Sequence, residues 1–334
     1  MLSTNSIPGR ISQNHIVALI FCVGRGSDFR CTMLSRCPEC PVQDPETKDD
    51  LRPATQDCHM IAPVIAIAAS IAAGVGLLIL RTHHRRVRRR QLMAQGLPAE
   101  HVAVIERNVP LYRRLPEPLK AQLHGLVNVF LDEKQFEGCG GLEITDGVRL
   151  TIAAQACILL VNRPADLFPG LSTILVYPQA YMARETTFDG VVETEVRDSR
   201  LGESWERGPV VLAWDSVVGG SRNEGDGLNV VLHEFAHQLD QQDSASDGAP
   251  ILGSPDDYPR WAEVFTAEYE ALRKARRFRR RSVLDKYGAT DPAEFFAVAT
   301  ETFFEKPRQL LKNHPDLYGV LKDYYKLDPA QWSG

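Results

Sequence analysis

The run Leu228-Asn229-Val230-Val231-Leu232-His233-Glu234-Phe235-Ala236-His237-Gln238-Leu239 decides how this chain is read. It has no proline and no internal glycine, and its apolar residues recur at helical spacing, so it reads as a helix. On a helix, positions i and i+4 stand one above the other on the same face. His233 and His237 are so placed. Two imidazoles in that arrangement can bind one zinc ion at about 2.0–2.1 Å each. Glu234 lies about 100° around the helix from His233 at about 3.6 residues per turn. It cannot share the ligand geometry, but it can reach a water on the metal. The H-E-x-x-H spacing therefore divides into two ligands and one general base. The bland alternative is a buried amphipathic helix that happens to carry these residues. It would set two imidazoles without partners among Val231, Leu232 and Phe235, which is costly.

A catalytic zinc usually has three protein ligands. Gln238-Leu239-Asp240-Gln241-Gln242-Asp243 follows His237, and no third histidine at metzincin spacing stands there. A distant carboxylate is the remaining common solution. In Tyr287-Gly288-Ala289-Thr290-Asp291-Pro292-Ala293-Glu294, Asp291 reads as a helix N-cap and Pro292 as the first helical residue. Glu294 then falls at the third helical position, where a glutamate can also return to the cap amide. Glu301, two turns on, shares its face. Spacing alone leaves Glu294, Glu301 and Asp240 open as third ligand. Asp240 shares the face of both histidines. It reads either as a carboxylate that orients a ligand imidazole or as a solvated group near the helix end.

These stretches resemble the Mlc titration factor A family of zinc peptidases. The resemblance runs over about residues 108–330. It takes in Phe136-Glu137-Gly138-Cys139-Gly140-Gly141-Leu142-Glu143, Ile152-Ala153-Ala154-Gln155-Ala156-Cys157, Tyr177-Pro178 and Gly208-Pro209-Val210-Val211-Leu212-Ala213-Trp214-Asp215. It implies a zincin-like metallopeptidase domain with aminopeptidase activity and one zinc ion per chain, held by His233, His237 and Glu294. Glu234 and Tyr287 are the catalytic residues it implies. A peptide is the implied substrate, and a repressor protein like Mlc the implied partner. On this view Tyr287 donates a hydrogen bond to the developing oxyanion. Without the resemblance it would read as a structural tyrosine at a helix end. A regulatory binding protein that sequesters a repressor, with peptidase activity secondary, is the competing reading.

Residues 61–80 form the second strong signal: twenty residues without a charge. At about 1.5 Å per residue they span about 30 Å, the thickness of a bilayer core. Arg81, Arg85, Arg86, Arg88, Arg89 and Arg90 follow at once. A cleaved signal peptide has its positive charge before the apolar stretch, not after it. The expectation is a single-pass anchor with the catalytic domain on the cytoplasmic side, where positive charge near a span is retained. A soluble cytoplasmic protein is the alternative.

The domain organisation expected is an N-terminal extension over 1–59, poorly ordered or not native, a transmembrane helix over 60–80, a basic juxtamembrane linker over 81–107, and a metallopeptidase domain over 108–334. Met60 would be a natural start. The extension holds Cys22, Cys31, Cys37, Cys40 and Cys58, awkwardly spaced for a zinc knuckle and able to form disulfides only outside the cytoplasm. Cys139 and Cys157 read as unpaired core thiols.

The net charge is −5, and no nucleic-acid partner is expected. A second basic run, Arg273 to Arg281, reads as a solvated helix face or as a surface for anionic headgroups or an acidic partner. Helices are predicted over 115–134, 148–161, 226–240, 256–273 and 292–304, and strands over 173–177 and 209–214. Strands before helices without β-α-β alternation point to an α+β domain. Residues 210–214 are expected to be an edge strand on which a peptide could lie, or else an ordinary core strand.

Overall fold

The computed structural model describes residues 58–163, 166–179, 181–188, 193–200, 202–204, 208–222 and 225–332, and only the backbone of 58–65, 181–188, 193–200, 202–204 and 221–222. Cys22, Cys31, Cys37 and Cys40, and the readings that rest on them, lie outside the described residues. The chain divides into Met1–Ala66 and Ile67–Gly334.

Helix α1 spans Cys58–Ala94. Ala66–Ala94 is long and apolar enough to cross a membrane by length and composition. Its apolar side chains are bare: Ile67, Ile71, Leu78 and Ile79 are each about 61–62% exposed. Residues 81–107, set apart above as a linker, are helical through Ala94 and again in α2, Ala99–Asn108. The reason is packing. Arg88 Nε donates to Asp132 at 2.9 Å, and Arg89 donates to Glu133 and Asp166. Leu92 and Leu97 rest on the core, and Ile105 is fully buried. A Cβ on Gly125 would stand 2.5 Å from the Met93 carbonyl oxygen, so α1 lies backbone to backbone on the next long helix.

After the short α3, Pro110–Arg114, comes α4, Glu117–Glu133. It leads into β1, Gln135–Gly138. Helix α5, Asp146–Ile158, is capped by Thr145, whose hydroxyl accepts the Val148 amide. It returns the chain to β2, Thr173–Tyr177, parallel to β1. Parallel neighbours need such a crossover, so β1-α5-β2 is the β-α-β unit that the sequence was not expected to contain. A two-stranded antiparallel hairpin follows, β3 (Tyr181–Phe188) with β4 (Glu193–Arg200).

The remaining strands are β5, Gly202–Ser204, and β6, Val210–Ala213. The four-stranded sheet runs β1-β2-β6-β5, with β6 parallel to β2 and antiparallel to β5. Strand β6 is thus an inner strand, not the edge expected for it. All four of its residues are buried. An unbroken apolar run is what a strand covered on both faces requires.

The helical remainder is α6 (Trp214–Arg222), α7 (Val230–Asp240), α8 (Tyr258–Arg277), α9 (Pro292–Glu305), α10 (Pro307–Asn313) and α11 (Pro315–Tyr325). The architecture is mixed, mostly helical, with a small four-stranded sheet and a two-stranded hairpin among the described residues. Helix α7 turns Val231, Leu232, Phe235 and Leu239 into the core, each 0% exposed. The Phe235 ring meets Phe168 edge-on at 4.8 Å and Phe130 at 5.7 Å. Truncating such a ring costs about 3–5 kcal/mol. That anchored face fixes the rotation of α7, and with it the direction of the two histidines on the other side.

Candidate metal centre

Helix α7 begins at Asn229, whose side-chain oxygen accepts the Leu232 amide at 3.1 Å. One turn in stands His233, and one turn further His237. Their Nε2 atoms are 3.2 Å apart. Helix α9 faces them. Asp291 caps it by accepting the Glu294 amide at 2.9 Å, and Pro292 occupies its first turn. The Glu294 side chain does not return to the cap. It reaches the histidines instead, 3.0 Å from His233 Nε2 and 3.6 Å from His237 Nε2. The three residues offer ligand atoms that all lie within 4.8 Å of one another.

This donor set fits a metal ion. Tetrahedral bonds of about 2.0–2.1 Å would place ligand atoms about 3.3 Å apart; the two imidazole nitrogens stand 3.2 Å apart, and Glu294 brings Oε2 to 3.0 Å from His233 and Oε1 to 3.6 Å from His237. His233 Nδ1 pairs with Glu301 at 2.7 Å. A carboxylate there calls for a proton on Nδ1, which leaves the Nε2 lone pair turned toward Glu294 and His237. Three carboxylates, Glu234, Glu294 and Glu301, surround two imidazoles. Burial opposes a charge on His233, but Glu301 and Glu294 outweigh it and lift its pKa well above the ordinary value. Glu294 is also penalised by burial, yet the two histidines hold it down at about 2. A surplus of buried negative charge of this kind calls for a cation.

Glu234 is not among the converging ligand residues. It is 4% exposed, and its Oε2 has no hydrogen-bond partner among the described residues. Burial pushes its pKa up to about 7 against the pull of both histidines. Tyr287 sits on a short turn, Lys286–Ala289, whose cap Asp285 accepts the Tyr287 amide at 2.7 Å. A Cβ on Gly288 would lie 3.1 Å from Val298 Cβ, so this turn is seated on α9. The Tyr287 ring lies 6.1 Å from that of His233 and is 56% exposed. All five residues singled out in the sequence, His233, Glu234, His237, Tyr287 and Glu294, are thus brought together.

Two neighbours differ from expectation. Glu301, open as a third ligand on spacing, binds the far nitrogen of His233. Asp240 is neither solvated nor joined to an imidazole among its described hydrogen bonds. It is fully buried and accepts the Gly248 amide at 3.0 Å, tying the following loop to α7. Sequence reasoning also passed over Asn229, Gln155 and Glu305, which are buried beside the site. A signal for the last was present: α9 is mostly apolar, yet Glu294, Glu301 and Glu305 recur at spacings that share one helix face.

Two imidazoles and a carboxylate converging beside a buried glutamate with one oxygen left without a partner among the described residues are the furnishing of a metallopeptidase. Residues 83–326 match the family of glucose-regulated metallo-peptidase M90, and the chain belongs to that family. An uncharacterized protein of Synechocystis sp. is 45% identical over 244 residues, covering 72% of this chain and 89% of its own. Mlc titration factor A of Pectobacterium atrosepticum is 30% identical over 227 residues, 66% of this chain and 84% of its own. The protein of the same name from Salmonella agona is 28% identical over 228 residues, 67% and 84%.

Proposed function

We propose that this protein is a zinc-dependent peptidase of zincin-like design, acting as an aminopeptidase. The observation that carries the reading is the meeting of His233, His237 and Glu294 beside the buried Glu234, whose Oε2 has no partner among the described residues. A zinc ion held by the three ligands would act as a Lewis acid and lower the pKa of a bound water to about 7. Glu234 takes the proton from the attacking water and delivers it to the leaving amine. Glu301 holds the His233 ring in the tautomer a ligand needs. Tyr287, exposed beside His233, donates a hydrogen bond to the oxyanion. The test is metal analysis of the purified full chain in detergent with a panel of aminoacyl chromogenic substrates. One zinc per chain and cleavage of free-amine substrates are expected. Absence of both would reject the reading.

Tyr287→Phe separates the proposed role from a structural one. A donor used only in the transition state contributes to kcat and not to KM. Loss of one such donor lowers kcat by about 10²–10³-fold. An effect confined to KM would move Tyr287 to substrate binding, and no effect would return it to a structural role.

The names of two relatives motivate a second reading, a regulatory protein that binds a repressor. The inactive Glu234→Gln protein distinguishes the two. A binding role survives that substitution and a hydrolytic one does not.

The bare apolar face of α1 and the arginines that follow it support an anchor through residues 61–80, with residues 1–59 on the outer side and the catalytic domain in the cytoplasm. The folded unit then begins ahead of 108, since α1 past Arg88 and all of α2 belong to it. Membrane fractions are expected to retain the enzyme after a high-salt wash, because about twenty apolar residues are not released by charge screening. A cytoplasm-active reporter fused after Gly334 should work. Recovery in the soluble fraction would reject the anchor, and activity of an exported-side reporter would reverse the orientation.

A further inference from the structure

Helices α7 and α9 face one another along a ladder of polar side chains. Asn229, His233 and His237 follow one another at four-residue steps. On α9 the sequence of rungs is reversed. Asn229 meets Glu301 and Glu305, His233 meets Glu301 and Glu294, and His237 meets Glu294. The first rung contains none of the three residues that offer ligand atoms.

Asn229 is 5% exposed, and every polar group it has is engaged. Its carbonyl accepts the His233 amide at 2.9 Å, and its side-chain oxygen accepts that of Leu232. Its own backbone N–H donates to Glu301 Oε2, the oxygen that His233 leaves free. Its Nδ2 donates to Gln155 Oε1 at 2.8 Å and Glu305 Oε1 at 3.1 Å. Gln155 is itself fixed, since its amide nitrogen donates to the Thr151 carbonyl. One residue therefore stitches α5, α7 and α9 together where they enclose the site. Helix capping does not explain the choice of side chain. Serine caps about as well as asparagine, but it has no amide with two donors. Those donors fix the backbone of residue 229, and the backbone aims its N–H at Glu301.

We propose that Asn229 is a positioning residue of the metal centre, holding Glu301 so that Glu301 holds His233. This rests on the reading of His233, His237 and Glu294 as ligands. The test measures zinc affinity of the full chain in detergent by competition with a chelator. Asn229→Ser keeps the cap and removes both amide hydrogen bonds. Partners of ligand residues typically contribute about 10–100-fold in metal affinity, and a loss of at least about tenfold is expected. If Asn229 acts through Glu301, the same substitution made in Glu301→Ala should cost almost nothing more, because coupled residues are not additive. Gln155→Met, which removes one acceptor at similar size, should weaken zinc binding several-fold and also lose its effect in Glu301→Ala. It carries the test if Asn229→Ser does not fold. Unchanged affinity, or a loss that multiplies in full with that of Glu301→Ala, would overturn the proposal. Wild-type protein that takes up no zinc would overturn the ligand assignment, and this inference with it.

Discussion

Glu234→Gln is expected to abolish hydrolysis while the metal content stays near that of the wild type. The side chain is buried, sits next to one histidine in sequence, and yet its Oε2 finds no partner among the described residues. It is not a ligand in the geometry, since the converging atoms belong to His233, His237 and Glu294. Glutamine keeps its size and shape and removes only the ability to take up a proton. General-base catalysis contributes about 10²–10⁴-fold, so kcat should fall by at least about a hundredfold. A Glu234→Gln protein that retains a tenth or more of its activity would defeat the mechanism. Loss of metal along with activity would make Glu234 a ligand and require a different site.

The second large effect separates two glutamates on one helix. Glu294→Ala removes a ligand atom and leaves a pair of imidazoles, so zinc should be lost on dialysis and activity with it. Glu301→Ala leaves all three ligand atoms in place. It removes the acceptor of His233 Nδ1, and the expected result is a centre that still binds zinc about 10–100-fold more weakly. Metal content measured at micromolar and nanomolar free zinc distinguishes the cases. The reverse order would mean that the third ligand had been misassigned.

The histidine pair was legible in the sequence because its geometry is local: one turn of helix fixes it. The cap at Asp291 and Pro292 was legible for the same reason. Which carboxylate joins the pair was not. Glu294 sits where a capping glutamate would also sit, and only the approach of α7 diverts its side chain to the histidines. Spacing alone kept Glu301 open, and the resemblance, not the chain's own pattern, separated the two. Strand β6 shows the same limit. Its all-apolar run was visible, but whether a strand is an edge or a centre depends on what pairs with it, and its antiparallel neighbour is the three-residue β5. Strand β1, Gln135–Gly138, has no marked alternation of its own and is held by β2, which begins 35 residues further on. The basic stretch after the apolar span, expected as a juxtamembrane linker, is helical through Ala94. Arg88 and Arg89 spend their charge on carboxylates of α4 and of the loop that follows α5.

The polar ladder between α7 and α9 has a consequence for supply as well as catalysis. It lies where two core helices pack, so its repulsions and attractions belong to folding. A ligand that binds only the folded chain adds to its stability, by about 2.7 kcal/mol at a hundredfold excess over Kd. Marginally stable proteins hold only about 5–15 kcal/mol in all. On the metal reading, starvation for zinc would leave this chain easier to unfold as well as inactive, and proteases act on the unfolded population. The abundance of the protein would then follow the metal status of the cell without any change in its synthesis.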